Sequence, residues 1–301
     1  MKKVLDKGFV DLIDVMGSDA SIVQAARVSY GAGTKKVSED KGLIRYLMRH
    51  GHTTPFEMSV MKFHIKMPMD THRQQIRHRT ASVNEYSTRY SKAIEDMMET
   101  EPGAWRLQDG GNKQGSSGFV TEFPKSALSF NSTPGEELSA QEKAFQDAAR
   151  DLYETRLAYG VAREQARKDL PLCNYTEYYW KMDLHNLFHY LKLRLDSHAQ
   201  FEIRQYAIAI AEYVKEKFPW SYEAFEDYRL NAISLSARDI KMILAINGIK
   251  DRSSWSDFGW LKKDPKTGKL PPNRERSEFE SKCEKLGINF KEMYEINRRN
   301  T

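Results

Sequence analysis

One segment, about residues 183–218, constrains the fold of this chain more than any other. Leu184, Leu187, Phe188, Leu191, Ile203 and Ile210 recur there at helical spacing, and an apolar stripe of that length must lie against a core. The spacing predicts one long helix, with Arg194 and His198 one turn apart on it. A sheet to receive it is legible upstream. Met61, Phe63 and Ile65 alternate with Lys62, His64 and Lys66, the period of a half-buried strand, and residues 10–16 suit an earlier strand. Shorter helices are marked by their ends. Ser18 and Asp19 offer N-caps to one carrying Ile22, Ala25 and Ala26. Ser38, Glu39 and Asp40 open a second, which carries Leu43, Ile44, Leu47 and Met48 and stops at Gly51. After Pro68 the chain turns helical through Arg73 and Arg77 and then continues as a loop. The expected class is α/β (α+β), a mixed sheet with long helices.

With 301 residues, 40% hydrophobic and 30% charged, there is material for a packed core in one large domain or two small ones. Residues 101–135 change character. GAWRLQDGGNKQGSSG is rich in Gly, Ser, Asn and Gln without periodicity, and reads as a surface insertion. Helical order returns at Ser139, where Ser-Ala-Gln-Glu has the form of a capping box, and Phe145, Ala148, Ala149 and Leu152 lead on to Gly160. A short helix around Arg163 and Arg167 ends near Leu170-Pro171. Beyond 229, helix candidates at 236–247 and 277–286 flank a Lys/Pro-rich linker. Residues 1–228 are therefore expected to form the main domain and 229–301 an appended helical tail. The formal net charge of +5 is too weak for a nucleic-acid binder and fits a phosphate-bearing ligand. Cys173 and Cys283 stand in neither disulfide nor metal spacing. The N-terminus MKKVLDKGFVDLIDV lacks a secretory signal, and no apolar run approaches the ~20 residues that cross a bilayer. A soluble, cytoplasmic protein is the expectation.

Chemistry concentrates in RHRTASVNEYSTRYS, residues 77–91. Arg77 and Arg79 are permanently charged forks suited to phosphate or to carbonyl-rich rings. His78 between them has its protonated form disfavoured by like charge. Ser82, Asn84, Ser87 and Arg89 add further donors. A solvated basic helix end would account for the motif taken alone. Three other segments add to it. HGHTTPFEM sets His52, Thr53, Thr54 and Glu57 just after a helix stop. AREQARKDLPL supplies Arg167. LKLRLDSHAQFEIR puts Arg194 among apolar residues, where a guanidinium needs an anionic or hydrogen-bonding partner; an internal ion pair with Asp196 or Glu202 would also satisfy it.

Arg77-His78-Arg79 followed by Ser82, Asn84, Ser87 and Arg89 at this spacing resembles, without a gap, the signature of the flavin-dependent thymidylate synthases (the ThyX family). The likeness extends through RYLMRHGHTTPFE upstream and LPLCNYTEYYWKMDLHNLFHYLKLRLDSHAQFEIRQYA downstream, about residues 1–100 and 139–228. It implies a ThyX-like fold in a homotetramer whose active sites lie where subunits meet. FAD reduced by NADPH would pass a hydride to the uracil ring of dUMP, and methylenetetrahydrofolate would supply the carbon. By matching positions, the resemblance implies FAD contacts from Ser29, Thr54, Glu57, Arg77, His78, Arg79 and Asn84, with His189 as a further FAD ligand. It implies dUMP contacts from Gln74, Glu85, Ser87, Arg89, Arg167 and Arg194. It places His52 on the flavin and folate side and His198 on the folate side. Catalytic work then falls to Arg194, His52 and Ser87. Hydride addition puts negative charge on the uracil carbonyl system, which a guanidinium such as Arg194 would stabilise. Ser87 has no local base to activate it and so positions substrate rather than attacking it. Met58 stands where some members carry His, and Asp183, His185 and His189 where others carry Asn or Arg.

Other readings compete for these residues. His185 and His189 are four apart, as zinc ligands can be, but no Glu stands between them, which favours a packed or cofactor-facing pair. Cys173 in LPLCNY lies beside apolar residues without an adjacent His, an inert packed thiol. One rival activity is a flavin- and folate-dependent dUMP hydroxymethylase. The other is a nucleic-acid-binding module with Tyr86 and Tyr90 as stacking platforms; the modest charge and the buried type of Arg194 and His198 count against it.

Overall fold

The computed structural model describes residues 1–28, 40–111, 115–124, 132–246, 264–269 and 272–289. Ser29, Ser38 and Glu39, expected above as a ligand contact and helix-start residues, lie outside them. Two compact units divide the chain, Met1–Leu230 and Asn231–Thr301.

In the first unit, β1 (Lys2–Val4) and β2 (Gly8–Met16) form a hairpin, and α1 (Asp19–Arg27), α2 (Asp40–Arg49) and α3 (Thr54–Glu57) follow. β3 (Val60–Pro68) shows the alternation expected of it: Met61, Phe63, Ile65 and Met67 are fully buried while the residues between them are partly exposed. α4 (Met69–Gln75) leads to β4 (Ser82–Glu85). β5 (Arg106–Gln108) and β6 (Ser116–Phe119) form a small hairpin of their own within the insertion. After them come α5 (Pro134–Ala158), α6 (Arg163–Ala166), β7 (Tyr175–Asp183), α7 (Leu184–Arg194), α8 (Phe201–Lys217) and α9 (Pro219–Phe225). The large sheet has the order β1-β2-β3-β7-β4. The architecture is α+β, and where a mixed sheet was expected every pairing in it is antiparallel. Helices cover one face. Phe63 and Trp180 from the sheet meet Tyr213 of α8 and Tyr190 of α7 there, and His72 of α4 lies on Tyr178. The opposite face carries Lys62, His64, Glu177, Tyr179 and Lys181, with Tyr179 46% exposed.

Three expectations are corrected. The expected long helix is two helices, α7 and α8, with β7 ending where it was to begin. Asp183 ends β7 and caps α7, accepting hydrogen bonds from Asn186 N at 2.9 Å and Asn186 Nδ2 at 2.7 Å, and Asp196 closes a turn by accepting from His198 N at 2.8 Å. Both helices lie on the same core, so the apolar spacing carries across the break and hides it. His198 consequently sits in the connecting turn, 75% exposed, rather than in a helix with Arg194. α5 begins at Pro134, not Ser139. Thr133 and Glu136 make the reciprocal capping box, and proline suits the first helical turn. Ser139 instead donates to Thr100 O at 2.6 Å and accepts from Trp105 Nε1 at 3.0 Å. Finally, the stretch after the Arg-His-Arg run is not all loop, since Ser82–Glu85 adds an edge strand to β7.

In the second unit, α10 (Ala237–Ile246) and α11 (Arg274–Lys285) bury Met242, Phe279 and Cys283 and are joined by Lys282–Asp239 at 2.7 Å and Arg238–Glu275 at 3.1 Å. Residues 231–301 hold 15 Lys and Arg against 10 Asp and Glu, the whole of the chain's +5. Residues 1–230 are therefore neutral in sum, and the charge excess does not by itself point to a ligand of the first unit. Among the described residues, no helix is long and apolar enough to cross a membrane.

Candidate active site

Edge strand β4 decides how the signature residues are distributed. Directly opposed residues of an antiparallel pair share a face. Glu85 opposes buried Tyr178, so it faces the helix-covered side; Asn84 opposes exposed Tyr179 and faces the open side. The two residues, adjacent in sequence, thus serve two different surfaces. Glu85 is joined by residues from three other elements. Thr176 Oγ1 of β7 donates to it at 2.8 Å, His72 Nε2 of α4 lies 3.6 Å away, and Arg167 stands close enough to act on its charge. The facing His72 imidazole, then the hydrogen bond from Thr176, and the neighbouring positive charge of Arg167 hold the Glu85 carboxyl below the usual carboxylate range. Arg167 also donates to Thr88 Oγ1 at 2.5 Å. Ser87 accepts from Arg89 N at 3.4 Å in the turn that follows, while exposed Arg89 reaches Glu164 at 3.2 Å. Gln74 is hydrogen-bonded to Gln200, at the start of α8.

A second cluster forms where α4 ends and α7 ends. Arg194 Nε donates to His78 Nε2 at 3.1 Å, so this imidazole acts as an acceptor. Burial first, then the charges of Arg194 and His189, push its pKa down to about 4, and His78 is neutral near pH 7. The sequence pointed to like charge from its neighbours; desolvation is the larger cause. Burial and the charge of Arg77 likewise lower the pKa of Arg194. The ion pair allowed for Arg194 does not form: Asp196 holds His198 and Glu202 holds Arg106. Arg73, Arg77 and Arg79 also make no ion pair among the described residues.

Beside this cluster a cleft of about 350 Å³ opens between the ends of α2 and α7. Phe56, Phe188 and Phe225 give it an aromatic floor; His52, His185, His189, Lys192 and Arg229 give it basic walls, and among the described residues no carboxylate lines it. Thr54 and Glu57 lie on α3, whose Phe56 meets Phe188 edge-on. Sequence reasoning missed Lys192, Arg229, His72 and Thr176. Only the last two carried a signal, as polar residues at positions that a helix and a strand must bury. Asp183 is occupied as a helix cap, and Met58 is exposed. Cys173 is half-buried, its thiol pushed up by burial and then by Glu142, which agrees with an inert role. His198 is brought to neither cluster.

A neutral α+β unit that lines an aromatic cleft with imidazoles, and sets the Arg194–His78 pair next to it through His189, suits an anionic, aromatic ligand. The model of the thymidylate synthase complementing protein family matches residues 11–220. The chain is 54% identical over 240 residues to a flavin-dependent thymidylate synthase of Thermus thermophilus, covering 80% of this chain and 83% of the relative. To that of Rickettsia conorii it is 48% identical over 261 residues, 85% and 88%. A crystal structure of the UMP/dUMP methylase PolB from Streptomyces cacaoi bound with 5-Br dUMP is similar at a TM-score of 0.65 and 28% identity, covering 76% of this chain and 98% of that one. The chain belongs to the thymidylate synthase complementing protein family. The donor set fits an anionic flavin: Arg77 and Arg79, without ion pairs among the described residues, the half-buried Arg194–His78 pair and the imidazole-lined cleft all offer donors.

Proposed function

We propose that this protein is a flavin-dependent thymidylate synthase, converting dUMP to dTMP with methylenetetrahydrofolate as the carbon donor. Bound FAD, reduced by NADPH, supplies the hydride. Arg77, His78, Arg79, Asn84, Thr54, Glu57 and His189 hold the flavin dinucleotide, with Ser29 in the same role. Gln74, Glu85, Ser87, Arg89, Arg167 and Arg194 hold dUMP. His52 and His198 serve the folate side.

The observation that carries this reading is the Arg194–His78 contact. Arg194 is half-buried, has no carboxylate partner among the described residues, and rests on a neutral acceptor that leaves its charge uncompensated. Such a cation, preorganised away from water, stabilises negative charge as it develops on the uracil carbonyls. His78 fixes the guanidinium's direction, and Glu85 is kept ionised to accept from the nucleotide. Ser87 and Arg89 present donors to the phosphate. Because Asn84 and Glu85 point to opposite faces of β4, a flavin contact and a nucleotide contact leave that strand in opposite directions. That division supports a homotetramer with sites completed by neighbouring subunits. Residues 1–228 carry the activity in the cytoplasm, the insertion 101–135 included, and 229–301 form an extension.

Purified protein tests this directly. It is expected to be yellow, to bleach with NADPH, and to yield dTMP by mass from dUMP, methylenetetrahydrofolate and NADPH. A hydroxymethyl product would overturn the reading. So would colourless protein that takes up no FAD and binds oligonucleotides in a salt-dependent way.

A further inference from the structure

We infer that His72 is a positioning residue for Glu85, fixing from behind the carboxylate that holds the nucleotide. The inference rests on the reading of Glu85 as a dUMP contact.

β4 is an edge strand, so only one neighbour holds its backbone: Glu85 pairs with Tyr178, and Tyr86 N donates to Glu177 O at 2.8 Å. The Glu85 side chain, 42% exposed, needs other supports to keep one direction. Thr176 Oγ1 donates to one carboxylate oxygen at 2.8 Å, and His72 Nε2 faces the other at 3.6 Å. That is long for a hydrogen bond, as functional contacts often are before ligand binding. Both supports are rigid. Thr176 is 2% exposed and His72 is 5% exposed, with its ring 4.1 Å from that of Tyr178. At 5% exposure His72 offers almost no surface to a ligand, so it acts through Glu85 and not on substrate. Its Nδ1 is buried without a partner. A ring used for packing alone would leave a polar nitrogen buried at a cost that phenylalanine avoids. The contact of Nε2 with Glu85 accounts for an imidazole at this position. α4 buries Thr71, His72 and Gln75, all polar, on the side that a plain packing helix would make apolar.

The test is calorimetric dUMP binding to the full-length FAD-loaded protein, with flavin stoichiometry and melting curve measured alongside. His72→Phe keeps a ring against Tyr178 and removes the donor; it should weaken dUMP binding about tenfold while flavin content and melting stay as in the wild type. His72→Gln restores a donor at the reach of Nε2 and should bind within about threefold of wild type, whereas His72→Asn, whose amide is too short, should resemble His72→Phe. In a Glu85→Gln background, His72→Phe should add no further loss. Wild-type affinity in His72→Phe overturns the inference. Equal affinity of the Gln and Asn variants overturns it too, even if the Phe variant loses its flavin. A Glu85→Gln protein that binds dUMP as the wild type does would instead remove the parent reading of Glu85, whatever His72 does.

Discussion

His78 illustrates how far a side chain's chemistry can be read from its neighbours in sequence. Arg77 and Arg79 flank it, and like charge alone would suggest a neutral ring. The stronger causes are burial and a guanidinium 116 positions away, neither visible in the motif. Its titration by NMR is expected near pH 4. Arg194→Met should raise that midpoint but leave it below the ordinary histidine value of about 6.5, because burial persists. A midpoint unchanged by the substitution would mean that the imidazole and the guanidinium do not share one environment. The sign of the pH dependence follows. Between the folded and unfolded midpoints only the unfolded state binds the proton, so the stability His78 supports is complete above about pH 6.5 and is lost as pH falls through about 4. The same substitution removes the cation proposed to meet developing charge on uracil. Turnover should fall about 10²–10³-fold, the usual consequence of losing one preorganised donor, with FAD retained. Arg194 could be singled out in the sequence because an arginine among leucines demands a partner; that the partner is His78 could not.

Helix ends were legible where the capping chemistry is local and misread where it is not. Gly51, with φ of 71°, stops α2 as its position suggested. Asp19 stands where the sequence offers a cap for the helix it opens. Its carboxylate is instead buried and accepts from Trp220 N at 2.8 Å, Ser221 N at 3.1 Å and Ser221 Oγ at 2.6 Å, tying the start of α1 to the start of α9. Asp19→Ala leaves three donors without their acceptor, two of them buried, and should cost about 2–4 kcal/mol, seen as a lower urea midpoint with an unchanged slope. Asp19→Asn, which keeps an acceptor, should lose clearly less; equal losses would show that volume rather than hydrogen bonding is at stake. The alternation in β3 was plain because one side of that strand is covered by helices. β7, which pairs with β3 along its whole length, is hard to see in the sequence because its residues 175–183 mix Tyr, Trp and Met with charged residues and run straight into α7. The break between α7 and α8 was hidden for a related reason: two helices resting on one core preserve the apolar spacing that a single helix would have. The signature's first half was legible as a helix end, but its division between two faces of a sheet depends on pairing with β7, some hundred residues later.

Charge across the chain separates the two units more sharply than any motif does. Residues 1–230 balance, and 231–301 carry the full excess of +5. On the proposed function, attraction of dUMP and of a flavin dinucleotide then comes from the local field of Arg77, Arg79, Arg194 and the basic residues that line the cleft. The family model ends at residue 220, and the sheet, both clusters and the cleft all fall within Met1–Leu230. A protein truncated after Leu230 is therefore expected to fold, take up FAD and form dTMP at about the full-length rate, since a domain with its own core does not need the extension. Its affinity for dUMP should show the same salt dependence as the full chain, because the proposed phosphate contacts, Ser87 and Arg89, lie within the fragment. The extension's excess charge should appear elsewhere: the full chain should bind a cation exchanger at neutral pH more tightly than the fragment does. If the fragment instead lost flavin, or its dUMP affinity fell together with its retention on the exchanger, the extension would be part of the active unit. The field that draws the nucleotide would then be global, and a neutral catalytic unit would no longer describe this enzyme.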